Sequence, residues 1–125
     1  MSWLFDSQTP LFMQIAKAIE DDIFARIYKE EEQIPSTTQV STTYHLNPAT
    51  VLKGYNLLVE YDLIEKRRGM GLYVKKGAVE KIKIKRSQEF ISSFITPLIK
   101  EAKKLGIDKN ELIKLIEDKN NEINC

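Results

Sequence analysis

A long helix, a short helix, a tight turn, another helix, two glycine-linked strands and renewed helix follow one another along the chain. This order predicts a mainly α fold with one small β-hairpin, a winged helix-turn-helix followed by a short helical tail. Three observations carry it: apolar residues at helical spacing from Leu11, the cap-plus-proline pairs Thr9-Pro10 and Asn47-Pro48, and Gly69-Met70-Gly71 between two short apolar runs. The expected division is residues 1–77 for the winged domain and 78–125 for the helical region.

Thr9 caps and Pro10 opens a first helix over roughly residues 10–28, because proline at the first helical position sacrifices no hydrogen bond. Leu11, Ile15, Ile19, Ile23 and Ile27 recur every fourth residue and give one apolar stripe. A polar acidic loop ends in Ile34-Pro35, and Ser36-Thr37-Thr38-Gln39 has the form of a capping box for a short helix to Tyr44, with Val40 and Tyr44 inward. Gln39 either completes that cap or bonds a phosphate.

His45-Leu46-Asn47 forms a tight turn, and Asn47-Pro48 starts a third helix to about Tyr61. Val51, Tyr55, Leu58 and Val59 share its buried side, while Ala49, Thr50, Lys53, Asn56 and Leu57 fall on the other. Leu63 to Arg68 and Leu72 to Lys76 read as strands joined through Gly69-Met70-Gly71. Beyond Gly77, Phe90, Ile91, Phe94, Ile95, Leu98, Ile99, Ala102 and Leu105 form a broad stripe. Pro97 within it predicts a kink, or a fresh start capped by Thr96. Gly106 stops that helix, Asp108 caps a last one, and residues 120–125 fray. Trp3 and Phe5 are assigned to packing across a dimer or onto the wing, or to a disordered start.

Composition narrows the function. The 125 residues hold 19 Lys+Arg against 18 Asp+Glu, a formal charge of +1, which excludes a protein saturated with positive charge. The charge is uneven, however. Residues 20–32 are acidic, whereas residues 61–86 carry Lys66, Arg67, Arg68, Lys75, Lys76, Lys81, Lys83, Lys85 and Arg86 against Asp62, Glu65 and Glu80. Such asymmetry suits a polyanion, or simply a solvated face. Without a long apolar run or a secretory leader, the expected location is the cytoplasm and no membrane partner is expected. One histidine, His45, and one cysteine, Cys125, leave no basis for a metal site, an intrachain disulfide or a cofactor. With no phosphate loop or paired carboxylates at recognisable spacing, no enzyme is expected.

Pro10-Leu11-Phe12-Met13-Gln14-Ile15-Ala16, Ile34-Pro35-Ser36, Asn47-Pro48-Ala49-Thr50-Val51, Tyr55-Asn56-Leu57-Leu58 and residues 63–74 (LIEKRRGMGLYV) together resemble, in order and spacing, the DNA-binding domain of GntR-type bacterial transcription regulators. The resemblance covers about residues 9–77, and the short helical remainder resembles the YtrA subfamily of dimeric repressors. It implies a sequence-specific regulator, expected to repress by binding a palindromic double-stranded operator as a homodimer. The DNA-binding residues it implies are Ser36, Thr38 and Gln39 on the short helix, Asn47, Pro48, Ala49, Thr50 and Lys53 on the third, and Arg67, Arg68 and Gly69 at the wing. Phe90, Ile91, Phe94, Ile95, Leu98, Ile99 and Ala102 are the expected dimer interface. An unknown small-molecule effector is a further expected partner.

Three departures stand out. Thr38 occupies a position where many relatives place an arginine, which implies weaker or differently specified binding. Met70 replaces a common lysine, and Glu30-Glu31-Glu32 replaces a glycine-containing loop. The competing reading is a winged helix that meets an acidic protein instead of DNA. His45 is assigned to the turn, and Tyr44, Tyr55 and Tyr73 to the core.

Overall fold

The computed structural model describes residues 3–124. In chain order it comprises α1 (Leu11–Phe24), α2 (Thr37–Tyr44), α3 (Pro48–Glu60), β1 (Ile64–Arg67), β2 (Gly71–Val74), α4 (Ala78–Phe90), a π-helical turn (Ile91–Ile95), α5 (Thr96–Lys104) and α6 (Lys109–Ile123). The chain divides into two compact units, one up to residue 84 and one from residue 85, so the divide falls within α4.

In the first unit, Ile15, Ile19 and Ile23 of α1 are fully buried with Val51, Tyr55 and Leu58 of α3. Val40, Leu63, Ile64 and Val74 join the same cluster, as do Ala78 and Ile82 at the start of α4. The stripe of α1 ends one turn sooner than its periodicity predicts. Arg26 turns left-handed at φ 61, its N–H bonds the Ile23 carbonyl at 3.0 Å, and the Ile27 N–H bonds the Asp22 carbonyl at 2.8 Å. These two bonds satisfy carbonyls left open at a helix end and close α1 at Phe24, leaving Ile27 64% exposed. The start of α1 also differs from expectation. Pro10 itself is the cap position, and Thr9 makes no side-chain cap. Gln14 organises the entry instead, donating from Nε2 to the carbonyls of Thr9 (2.7 Å) and Asp6 (2.9 Å) and accepting the Asp6 N–H (2.8 Å).

The buried face of α3 is rotated from the predicted one. Val51, Gly54, Tyr55 and Leu58 are buried, whereas Val59 is 46% exposed and Leu57 packs against the core. Gly54 is the reason. A Cβ there would lie 2.7 Å from the Phe12 carbonyl oxygen and 3.2 Å from Ile15 side-chain carbons, so only glycine lets α3 come this close to α1.

β1 and β2 pair antiparallel, with Ile64 opposite Val74 and Arg67 opposite Gly71. The segment read as a polar acidic loop runs along the other edge of β2. The Glu31 N–H bonds the Val74 carbonyl (2.8 Å), the Val74 N–H bonds the Glu32 carbonyl (2.9 Å), and the Ile34 N–H bonds the Leu72 carbonyl (3.0 Å). This covers an edge that would otherwise present open backbone groups.

Two carboxylates fasten the first turn of α4. Glu30 accepts the N–H groups of Gly77 (2.7 Å) and Val79 (3.1 Å), which hold its carboxyl below the ordinary range. Asp62, left-handed at φ 62 just past α3, binds the Lys75 ammonium at 2.5 Å and also that of Lys81. Hydrogen bonds from these two lysines bring its carboxyl down to about 2.

The second unit consists of helix with little enclosed interior. The Thr96 side-chain cap offered for a fresh start is absent. Residues Ile91–Ile95 widen into a π-helical turn ahead of the proline, and helical backbone continues through Ile95 and Thr96 without a side-chain cap. Gly106, at φ 71, ends α5 through Gly106 N–H to the Lys103 carbonyl (3.2 Å) and Ile107 N–H to the Ala102 carbonyl (2.9 Å). Asp108 caps α6 by accepting the Glu111 N–H at 2.9 Å. The predicted fraying is absent up to Ile123, where α6 ends, and Cys125 lies outside the described residues.

Two outcomes test this frame. Gly54→Ala gains about 1 kcal/mol of helix propensity, yet forces backbone apart at a cost of about 1–3 kcal/mol, so the melting temperature is expected to fall. Asp62→Asn tests the α4 joint. Because the folded carboxyl titrates below its unfolded value of 3.8, its contribution is complete above that pH and lost as pH falls toward about 2. The wild type is expected to lose more melting temperature between pH 6 and pH 3 than Asp62→Asn does, as thermal scans would show.

Candidate nucleic-acid interface

The short helix α2 is built by its ends. Ser36 Oγ accepts the Gln39 N–H at 3.0 Å, while Gln39 Oε1 accepts the Ser36 N–H at 2.7 Å. Gln39 therefore caps, and Thr38 beside it is exposed. At the other end His45 sits left-handed at φ 55, exposed, and Ser41 Oγ donates to the Leu46 carbonyl at 2.7 Å. His45 thus finishes the turn, as its place in the sequence predicts.

α3 begins where Asn47 Oδ1 accepts the Ala49 N–H at 2.9 Å, a cap worth about 1 kcal/mol. Asn47, Pro48 and Ala49 are exposed and Thr50 is half-exposed, so small side chains and the positive end of the helix face solvent together. The opposite face is anchored deeply. Tyr55 donates its hydroxyl to the Pro35 carbonyl at 2.6 Å, and burial pushes its phenol pKa upward. That bond ties the middle of α3 to the residue leading into α2, fixing the two helices about their turn.

Lys53, one of the DNA-binding residues the resemblance implies, has an intrachain partner. Its ammonium lies 4.2 Å from the centre of the Phe12 ring, a cation–π contact back onto α1. Its exposed position on α3 leaves the charge at the surface.

At the wing, Gly69 turns at φ 71 and Gly71 at φ 92, while Lys66, Arg68, Gly69 and Met70 are exposed. Gln33 donates from Nε2 to the Met70 carbonyl at 2.8 Å and steadies the tip. Arg67 is engaged within the wing. Its guanidinium lies 4.3 Å from the Tyr73 ring centre, 3.3 Å from Glu65 Oε1 and 4.0 Å from Glu31 Oε1. Lys75 and Lys81 face Asp62, so part of the basic stretch is balanced locally.

Trp3 and Phe5 pack on the winged domain itself. Trp3 stacks on Tyr44 with ring centres 5.2 Å apart, its indole N–H bonds Asp22 Oδ2 at 2.9 Å, and Phe5 meets Tyr44 edge-on at 5.6 Å. Tyr44 is consequently half-buried by this cluster. Tyr28 lies nearby in charge terms: burial and the Asp22 carboxylate raise its phenol pKa.

In the second unit, Phe90, Ile91, Phe94, Leu98 and Ile99 are exposed, with Phe94 at 65%, and Ile95 is half-exposed. Ala102 differs from the rest of the expected interface, being only 6% exposed within one chain. It lines a groove of about 480 Å³ between α5 and α6 with Leu98, Leu105, Leu112 and Ile116.

Sequence reasoning missed Gln33, Glu30, Gly54 and Asp62. The glycine inside a strong helical pattern was the one local signal available, since such a residue marks close packing. The others act across long sequence separations. Among the described residues no helix is long and apolar enough to cross a membrane.

Comparison with known proteins agrees with this geometry. The family model described as bacterial regulatory proteins, gntR family, matches residues 11–74, the stretch from the start of α1 to the end of β2. The chain is 29% identical over 119 residues to YhcF of Bacillus subtilis, an uncharacterized HTH-type transcriptional regulator, covering 90% of this chain and 92% of that protein. It is 28% identical over 112 residues to the HTH-type transcriptional repressor YtrA of the same organism, covering 90% and 85%. Among solved structures, a GntR family transcriptional regulator from Listeria monocytogenes matches with a TM-score of 0.74 and 28% identity, covering 91% of this chain and 98% of that one.

Proposed function

Because the chain belongs to the GntR family of bacterial regulatory proteins, we propose that it is a transcriptional repressor that binds a palindromic operator as a homodimer. The observation that carries the DNA contact is the exposed start of α3. There Asn47, Pro48, Ala49 and Thr50 combine small side chains with a positive helix end, while Val51, Tyr55 and Leu58 lock the other face into the core. α3 enters the major groove, the start of α2 at Ser36 and Thr38 lies along the backbone, and the Arg68-Gly69 tip reaches the flanking minor groove. Lys53 leaves Phe12 for a phosphate when DNA is present. Such a regulator works beside the chromosome, which places it in the cytoplasm.

Dimerisation is supported by the second unit. An apolar stripe from Phe90 to Ile99 stands exposed, and a region so poor in enclosed apolar surface is stabilised by cover from a second copy. Two copies double the base pairs read and match a two-fold operator. The repressor assignment follows the similarity to YtrA over most of both chains.

Fluorescence anisotropy with DNA from upstream of the protein's own operon, against a scrambled duplex, tests the reading across a salt series. Selective binding that falls steeply with salt is the expected result. Ala49→Asp is expected to weaken binding about tenfold or more, without loss of melting temperature, because an anion suits an exposed helix start but repels phosphate. Equal, weak binding to both duplexes, unchanged in Ala49→Asp, would refute sequence-specific recognition and favour a protein partner. Phe94→Glu with Ile95→Glu is expected to give monomer in light scattering and weaker operator binding; a stable dimer would relocate the interface.

A further inference from the structure

We propose that Glu31 and Glu65 hold the wing's Arg67 in competition with DNA phosphate, so that this pair of carboxylates sets how much the wing contributes to binding. The inference deepens the DNA-binding reading and rests on it.

The hairpin has two faces. Ile64 and Val74 point into the core, whereas Glu65, Arg67 and Tyr73 alternate with them and lie on the outer face, where Arg67 stands opposite Gly71. Gly71 carries no side chain, the Gln33 amide fills the space a Cβ would take there, and the Tyr73 ring centre lies 4.3 Å from the guanidinium. The Arg67 Nε–H donates to Glu65 Oε1 at 3.3 Å along the same strand. Glu31 approaches from the third segment of the sheet, with its Oε1 4.0 Å from Nη2. Two carboxylates from different segments thus converge on one guanidinium.

Glu31 carries a second signal. Its backbone is left-handed at φ 69, a conformation that disfavours any side chain and that glycine adopts freely. Strain retained at one residue invites a reason in what its side chain does. Here that side chain supplies the carboxylate beside Arg67.

The hold is weak enough to be displaced. The side chains of Glu31, Glu65 and Arg67 are 63%, 40% and 34% exposed, and ion pairs in such settings contribute little. A phosphate of the duplex, with its condensed counterions to release, competes for the same guanidinium. The carboxylates tax each wing contact without closing the wing.

The test compares wild type, Glu31→Gln, Glu65→Gln and the double variant in binding a fluorescein-labelled random-sequence duplex over a salt titration. Glutamine keeps size and backbone requirement and removes only charge. Each single variant is expected to bind roughly two- to fivefold more tightly, and the double variant is expected to steepen the salt dependence by about 0.9 per protomer. The same substitutions in an Arg67→Gln background are expected to change affinity far less. Equal gains with and without Arg67 would show a general loss of repulsion and overturn the proposal. Unchanged affinity in variants of a wild type that binds DNA would overturn it alone. If neither the wild type nor any variant binds the duplex, both this proposal and the DNA-binding reading fall.

Discussion

The winged domain depends on one close crossing, where α3 passes α1 at Gly54 with no room for a Cβ against the Phe12 carbonyl. Tight approach of two helices brings Val51, Tyr55 and Leu58 onto Ile15, Ile19 and Ile23, and every one of these is buried. Orientation about the α3 axis follows. With Gly54 in the contact, Ala49 at the helix start turns outward and is exposed, while Thr50, one turn before Gly54, is half-exposed at the edge of that contact. The Tyr55 hydroxyl then links this anchored helix to Pro35, so α2 inherits its placement from the same crossing. The surface proposed to read DNA is in this sense a consequence of packing on the far side of α3.

Sequence pattern conveyed the element order well, because each signal was local. Ser36 with Gln39, Asn47 with Pro48, Gly69 with Gly71, and Asp108 each settle an end or a turn by chemistry within a few residues, and each is found doing so. Periodicity erred where a nonlocal or backbone event overrode it. Ile27 fits the stripe of α1 perfectly, yet left-handed Arg26 ends the helix before it. Val59 fits the apolar face of α3, but that face is centred by Gly54, a residue with no hydropathy to report. Trp3 and Phe5 illustrate the same limit, since their partner Tyr44 lies about forty residues away along the chain.

Charge shows a similar division between composition and placement. A formal +1 and a basic stretch at 61–86 describe amounts, whereas the structure distributes the work. Lys75 and Lys81 meet Asp62, Arg67 meets Glu65 and Glu31, and Glu30 caps α4 through two backbone N–H groups. Acidic residues 30–32, which look like a counterweight to DNA affinity, therefore serve in part to cap a helix and edge a sheet. Cations at the tip, Lys66 and Arg68, stand exposed. On the proposed DNA-binding reading, the electrostatic contribution is weighted toward them and toward the positive start of α3 rather than spread over the whole basic stretch.

The second unit obeys the opposite logic. Its helices are well capped, by Asp108 and by the Gly106 turn, yet Ala102 is its one hydrophobic residue in the buried class among the described residues. Local hydrogen bonds can define such helices but supply little net stability, because most helix stability in proteins comes from burying an apolar face. A stripe wide enough to be core, on an element that cannot enclose it, transfers that requirement to another surface. The first unit satisfies its own stripes within 84 residues, and the tail does not. In the proposed dimer, one pairing of chains supplies both the cover that the tail lacks and the two-fold arrangement that the proposed operator reading requires.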